Sequence, residues 1–231
     1  MVKPHPLAPS PDGEGVPEDG RPIVLPVGVL ALQGDFARHA EALSRAGLES
    51  REVRRTGELR SVSGLVLPGG ESTTYLKFFE REPGWGGALR QFAESGKPVL
   101  ATCAGLILIA ARVDNPPQAS LALLDVDVVR NAYGRQVDSF VGEATGADGS
   151  SMEAVFIRAP KIARVGASVE VLARESSDPV LVRSGNVFGA TFHPELSEEP
   201  AVHRRVFGGG RSADAAAPAP AARADSGVAS R

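Results

Sequence analysis

Short runs of wholly apolar residues alternate, along the first half of the chain, with stretches in which apolar positions recur every third or fourth residue. Val27-Gly28-Val29-Leu30-Ala31-Leu32 is a run of the first kind. It is followed by Phe36, Ala40, Leu43 and Ala46 at helical spacing, and Gly47 stops that helix. Leu65-Val66-Leu67 is a second run, ended by Pro68-Gly69-Gly70. Ala88, Leu89 and Phe92 predict a further helix closed by Gly96. Val99-Leu100-Ala101 then leads into Cys103-Ala104-Gly105 and the apolar stretch Leu106 to Ala111. Strands that are apolar throughout, alternating with helices, predict an α/β fold: an open, mostly parallel sheet flanked by helices.

The pattern changes after that point. Val126 to Val129, Phe140-Val141, Val155-Phe156-Ile157, Val169 to Leu172, Val180-Leu181-Val182 and Val187-Phe188-Gly189 read as short strands between turn residues. They predict an added antiparallel portion in the second half, before a last strand, Ala190-Thr191-Phe192, that delivers His193. The ends carry no such pattern. Residues 1–22 hold six prolines and little that can enter a core, which predicts a disordered extension. From Gly208 to Arg231 the chain is rich in glycine, alanine, proline and serine, and reads as a flexible tail. The folded domain is therefore expected over 23–207.

Composition narrows the function classes. A domain of about 180 residues buries roughly 70% of its unfolded surface and needs no staples. The 25 basic and 28 acidic side chains leave a net charge of −3, which offers nothing for nucleic acid or an acidic membrane to recognise. A single cysteine excludes an internal disulfide and an all-cysteine metal site. With no apolar run long enough to span a bilayer and no basic-then-apolar leader, the cytoplasm is the expected compartment.

That one cysteine, Cys103, stands where an apolar strand ends and a helix should begin. There the thiol faces outward and the helix N-terminus stabilises a thiolate. Ala104 and Gly105 are small enough to let a substrate approach, and the Ala104 N–H is placed to bind an oxyanion. The plain alternative is a buried cysteine acting as a small hydrophobe. His193-Pro194-Glu195 supplies what a thiolate needs next: an imidazole to carry protons and a carboxylate to orient it. Taken alone it is also a common surface turn. His39, on a predicted helix, and His203, in a polar stretch, are weaker candidates for the base. Pro68-Gly69-Gly70-Glu71-Ser72-Thr73-Thr74 follows a strand, and its N–H groups can point at an oxyanion, with Ser72 and Thr73 capping the next helix. A phosphate loop is the competing idea, but no Gly-Lys-Ser/Thr follows; a plain turn stays open. All three pieces fall at strand C-terminal ends, where open α/β sheets build their sites.

Together with Leu30 to Gly34, Arg130-Asn131-Ala132-Tyr133-Gly134-Arg135-Gln136 and Phe156 to Pro160, these segments resemble the class I glutamine amidotransferase superfamily, whose fold is flavodoxin-like. Within it they look like the branch formed by the glutaminase subunits of pyridoxal 5′-phosphate synthases. The resemblance runs in order from about Val27 to Phe207. It implies Cys103 as nucleophile, His193 as general base and acid, and Glu195 as its orienter. It further implies that Gly70, Glu71 and Ser72 bind L-glutamine, that Gly70 and Ala104 hold the oxyanion, and that Arg130, Ile157 and Arg158 close the site. No metal or organic cofactor is implied, and the implied partner is the lyase subunit of the synthase, in a hetero-oligomer. Low activity alone and activation on docking are implied as well. Ala132 and Tyr133 depart from the branch's usual serine and phenylalanine, and the glycines from Gly208 put the last helix in doubt. The rival readings are a glutaminase serving another acceptor, a non-catalytic module on the same fold, and a cysteine peptidase.

Overall fold

The computed structural model describes residues 24–130, 132 and 139–210. The proline-rich N-terminal segment, the tail beyond Gly210 and most of the Arg130-to-Gln136 motif lie outside the described residues.

Four strands, each buried along its whole length, form the centre: β1 (Val27–Leu30), β3 (Gly64–Leu67), β4 (Val99–Thr102) and β12 (Val187–Ala190). With the edge strand β2 (Ser50–Val53) they run parallel in the order β2-β1-β3-β4-β12. Covered on both faces, these strands have no need of polar alternation, which is why they read as continuous apolar runs. On β4, Val99 and Ala101 face one buried cluster and Leu100 the other, as the two-residue period of a strand requires. Helices α1 (Phe36–Arg45), α2 (Ser72–Arg81), α3 (Trp85–Glu94), α4 (Ala104–Ile109) and α5 (Ala201–Phe207) flank this half.

Beyond β12 the same sheet continues antiparallel through β11 (Asp178–Ser184), β10 (Glu170–Glu175), β7 (Ser139–Gly146) and β8 (Ser151–Ile157). The expected antiparallel portion is thus an extension of the main sheet. A second sheet of three strands joins β5 (Ala110–Asp114), β6 (Leu124–Val129) and β9 (Lys161–Val165). Among the described residues no helix is long and apolar enough to cross a membrane.

Several elements differ from the sequence reading. The last strand is β12 itself, 187–190; Thr191 and Phe192 lie past its end, already in the turn that presents His193. Helix α3 begins at Trp85 rather than near Ala88, because the indole is buried in the core while Gly84 takes φ 117° before it. The apolar stretch after Cys103 splits into α4 and β5 without a glycine or proline to mark the change. Thr102 is the last residue of β4, and α2 is capped by Glu71, whose carboxylate accepts from the Thr73 N–H, not by Ser72 or Thr73. The final helix is present: α5 packs Val202 and Val206 into the core, and a 3-10 turn covers 208–210.

Candidate active site

The parallel order β2-β1-β3-β4-β12 places the ends of β1, β3, β4 and β12 side by side, and the chain reverses its direction of progress across the sheet between β1 and β3. Ligands of open α/β sheets bind outside the carboxyl ends at such a switch point. The residues leaving those ends are Gln33, Gly69 to Ser72, Cys103 and His193.

Cys103 follows β4 and caps α4 with φ 47° and ψ −103°. A non-glycine residue in that region costs on the order of 1–3 kcal/mol and persists only where its surroundings hold it. Here the backbone N–H donates to the Ala190 carbonyl at 2.9 Å, and the Cys103 carbonyl accepts from Ile107 at 3.1 Å. Gly105 is required just after the turn, since a Cβ there would stand 2.1 Å from the Leu67 carbonyl oxygen. The thiol is not outward-facing as the sequence suggests: Cys103 is buried at the floor of a cleft, its sulfur 4.0 Å from the Ile157 carbonyl.

His193 is anchored by its N–H to the Val155 carbonyl, 2.8 Å away, and its Nδ1 lies 2.7 Å from Glu195 Oε1. Both side chains are buried. Burial alone would lower the pKa of His193, but hydrogen bonds to the Cys103 sulfur and to Glu195, with the charges of both, raise it to about 10. Burial likewise opposes the charge on Glu195, yet His39 and the bond from His193 hold its carboxyl below the ordinary value. The imidazole is therefore held in its protonated form by the sulfur on one side and the carboxylate on the other. A thiol, an imidazole and a carboxylate stand in the order that a covalent mechanism with a nucleophile, a proton carrier and an orienter requires. Asp35 adds a third donor group: its carboxylate, His193 and Glu195 offer ligand-type atoms within 4.8 Å of one another. A cation there would have to break the contact that orients His193, so Asp35 counts as part of the charge around the triad.

The glycine loop after β3 closes over these groups. A Cβ on Gly69 would fall 2.5 Å from His193 Cε1 and 3.4 Å from Cys103 Cβ, so the loop backbone lies directly on these two side chains. Gly70 takes φ 133°, and Gln33 Oε1 accepts from the Glu71 N–H at 3.0 Å. Tyr75 donates from its hydroxyl to the Pro68 carbonyl at 3.0 Å, fixing the start of the loop from beneath. Gln33, Tyr75 and Gln118, which accepts from Ser72 Oγ at 2.9 Å, were not singled out by the sequence reading. Arg130 leaves the end of β6 and its Nη2 sits 3.3 Å from Glu71 Oε1. Arg158, at φ 43°, is exposed on the rim beside half-buried Ile157.

Cys103, His193, Gly70, Glu71, Ser72, Arg130, Ile157 and Arg158 line one cleft of about 180 Å³, with Asp35 and Ile107. That is smaller than the roughly 300–1,000 Å³ of pockets for drug-sized ligands, and it suits a single amino acid better than a peptide. Glu195 stands behind His193 and Ala104 behind Cys103, both buried.

Two histidines that the sequence ranked low belong to this centre. His39 on α1 and His203 on α5 are both fully buried, and His39 Nδ1 lies 2.9 Å from His203 Nε2. His39 shares a face with Ala42 and Leu43, and His203 with Val202 and Val206; that helical spacing is the one sequence signal that could have placed them in the interior, though not beside each other. Arg45, also on α1, donates to the carbonyls of Glu195 and Ser197 at 3.3 and 3.0 Å and holds the loop that carries the carboxylate.

The model of the SNO glutamine amidotransferase family matches residues 29–207. The protein from Koribacter versatilis called pyridoxal 5′-phosphate synthase subunit PdxT is 48% identical over 185 residues, covering 78% of this chain and 92% of its own length. Its Thermus thermophilus counterpart is 49% identical over 180 residues, covering 77% and 94%. A crystal structure described as a glutamine amidotransferase superposes with a TM-score of 0.73 at 48% identity, over 78% of this chain and 96% of that one. A protein described as a GMP synthase subunit from Thermoplasma acidophilum, at 17% identity and a TM-score of 0.61 over 82% and 94%, shares the fold.

Proposed function

The chain belongs to the SNO glutamine amidotransferase family, and from that premise and the triad geometry we propose that it is the glutaminase subunit of a pyridoxal 5′-phosphate synthase, hydrolysing L-glutamine to L-glutamate and ammonia. The observation that carries the reading is the buried contact of 2.7 Å between His193 and Glu195 beside a strained Cys103, at the floor of a cleft sized for an amino acid.

The Cys103 thiolate attacks the side-chain carboxamide carbon of glutamine, and the carbonyl π electrons move onto oxygen. That oxyanion is held by the N–H groups of Gly70 and Ala104. Collapse breaks the C–N bond as the His193 imidazolium gives its proton to the leaving nitrogen, so ammonia departs and a glutamyl thioester remains. Neutral His193 then takes a proton from water, whose oxygen attacks the thioester. Expulsion of the thiolate yields glutamate and restores the ion pair. Arg130 binds the substrate α-carboxylate as a two-pronged donor, exchanging its contact with Glu71 for the ligand. Gly70, Glu71 and Ser72 hold the rest of the substrate, and Ile157 and Arg158 close the rim. Ammonia passes to the synthase (lyase) subunit, whose docking completes the oxyanion loop at Gly69 and Gly70. The reaction needs no metal or organic cofactor on this chain, and its thiolate suits the reducing cytoplasm.

Glutamate release is measured with and without a pyridoxal 5′-phosphate synthase lyase subunit. The proposal expects hydrolysis that rises on adding that subunit. Hydrolysis indifferent to it would remove the assigned partner, and none in either condition would remove the enzyme.

A further inference from the structure

The triad does not end at Glu195. Its carboxylate has two oxygens; Oε1 faces His193, while Oε2 is buried and is met by an ion-pair contact rather than a well-aligned hydrogen bond. Facing Oε2 at 3.2 Å is Nε2 of His39, which also lies 3.1 Å from Thr102 Oγ1. Behind it, His39 Nδ1 meets His203 Nε2 at 2.9 Å. Four side chains drawn from α1, α5 and the turn after β12 thus form a continuous buried line: His203, His39, Glu195, His193.

One pair of tautomers spares the carboxylate a facing lone pair. Between His39 and His203 only one of the two facing nitrogens can carry the hydrogen. If His39 held it on Nδ1, a bare Nε2 lone pair would face the Glu195 carboxylate, which is repulsive. The arrangement that leaves no such clash has His203 donating from Nε2 to His39 Nδ1, and His39 carrying its hydrogen on Nε2, toward Glu195 Oε2 and Thr102. We propose that His39 is a positioning residue for catalysis: its Nε2–H, between Thr102 Oγ1 and Glu195 Oε2, holds the Glu195 carboxylate by electrostatic contact so that Oε1 orients His193, and His203 locks the tautomer that makes this possible. The inference rests on the glutaminase reading above, and it ties the C-terminal helix to the chemistry.

Burial supports the neutral state of both rings. It lowers the pKa of His39 despite the opposing charge of Glu195, and it lowers that of His203, with His39 adding to the effect, to about 3. The other titratable or charged groups around Glu195 are His193 and, through the sulfur, Cys103; Asp35 from the turn before α1; and Arg45 from α1, which reaches the Glu195 carbonyl rather than its carboxylate. None of these replaces a donor at Oε2.

The test uses two substitutions of nearly equal polarity. A glutamine amide at position 39 reaches where imidazole Nε2 stood; an asparagine amide reaches only where Nδ1 stood. His39→Gln keeps a donor toward Glu195, whereas His39→Asn keeps only the partner of His203. Glutamate release by the full chain with its lyase subunit is followed against glutamine concentration and pH, and melting temperature is recorded for each variant. The expected result is a kcat loss on the order of 10- to 100-fold for His39→Asn at unchanged KM, the size typical of outer partners of a catalytic ligand. Its acid limb should move to higher pH, because Glu195 without its donor takes up a proton sooner, and His39→Gln should recover most of kcat. His203→Leu is the second route to the same measurement and should lower kcat with KM unchanged. Equal kcat and pH profiles for the Asn, Gln and unaltered chains, or losses that track melting temperature alone, would overturn the proposal. An unaltered chain that releases no glutamate would remove the glutaminase reading and this inference with it; an active chain indifferent to position 39 removes the inference alone.

Discussion

Replacing Gly69 by alanine asks how closely the glycine loop is fitted to Cys103 and His193. The backbone at Gly69 is not in the left-handed region, so the substitution is a question of space alone. The new methyl would lie 2.5 Å from His193 Cε1 and 3.1 Å from Nδ1, where contacts below 3.0 Å essentially never occur. The ring or the loop must yield by about 0.5 Å at the least, and by nearer 1 Å to reach ordinary van der Waals contact. His193 cannot swing away cheaply, because its Nδ1 is held 2.7 Å from Glu195 in a buried site. The loop cannot rise freely either, since Tyr75 holds Pro68 and Gln33 holds Glu71. Forcing one methyl into such a place costs about 1–3 kcal/mol, which for a domain of this size lowers the melting temperature by roughly 2–4 °C per kcal/mol. The catalytic cost is larger: a misplacement of about 1 Å in a reacting group is worth on the order of 100-fold. Steady-state glutamate release and a thermal melt of Gly69→Ala therefore should show a small stability change with a kcat loss of about 10- to 100-fold. A folded variant with kcat within about twofold of the unaltered chain would refute the placement of this loop on His193.

Cys103→Ala and Cys103→Ser should abolish glutamate release while leaving the melting temperature close to that of the unaltered chain, as read by coupled glutamate assay and calorimetry. Arg130→Ala should raise KM for glutamine with a smaller change in kcat, and Arg130→Lys should recover only part of the affinity, since a lysine offers no two-pronged grip; a kcat-only effect would contradict its role at the α-carboxylate. His203 should make the fold acid-sensitive. Its folded pKa of about 3 is below the ordinary 6.5, so its contribution to stability is fully present above pH 6.5 and is lost as pH falls toward 3. Each such group removes about 1.4 kcal/mol per pH unit within that window, and denaturant melts of His203→Leu should show a shallower decline below pH 6.5 than the unaltered chain. His193, raised to about 10, acts in the opposite sense: its contribution is complete below pH 6.5 and is lost as pH rises through about 10.

What could be read from the sequence followed from local pattern. The strands of the parallel half are apolar from end to end, and Cys103-Ala104-Gly105 and His193-Pro194-Glu195 are local signatures at the ends of two of them. β2 was invisible because an edge strand, Ser50-Arg51-Glu52-Val53, is half exposed and charged. The apolar spacing of Phe36, Ala40, Leu43 and Ala46 points to one face of α1, whereas Leu43 shares the buried face with His39 and Ala42. A histidine on an apolar stripe breaks the binary pattern, and its reason lies on a helix 164 positions away. Periodicity can place such a histidine on an inner face but does not name its long-range polar partner, so the supports of the site stay hidden: His39, His203, Gln33, Tyr75 and Arg45. The place of α5 in the core is set by apolar contacts distant in sequence: Val202 and Val206 are buried, and Phe207 packs against Gly64 at the start of β3.

The central claim is that Cys103 becomes covalently acylated by glutamine. The direct measurement is mass spectrometry of the acid-quenched chain, mixed with glutamine in the presence of the lyase subunit and digested to the peptide containing Cys103. The account predicts a glutamyl group on Cys103 that forms before steady-state glutamate appears and is absent from Cys103→Ser. Glutamate released at full rate with no acyl group ever found on Cys103 would contradict it.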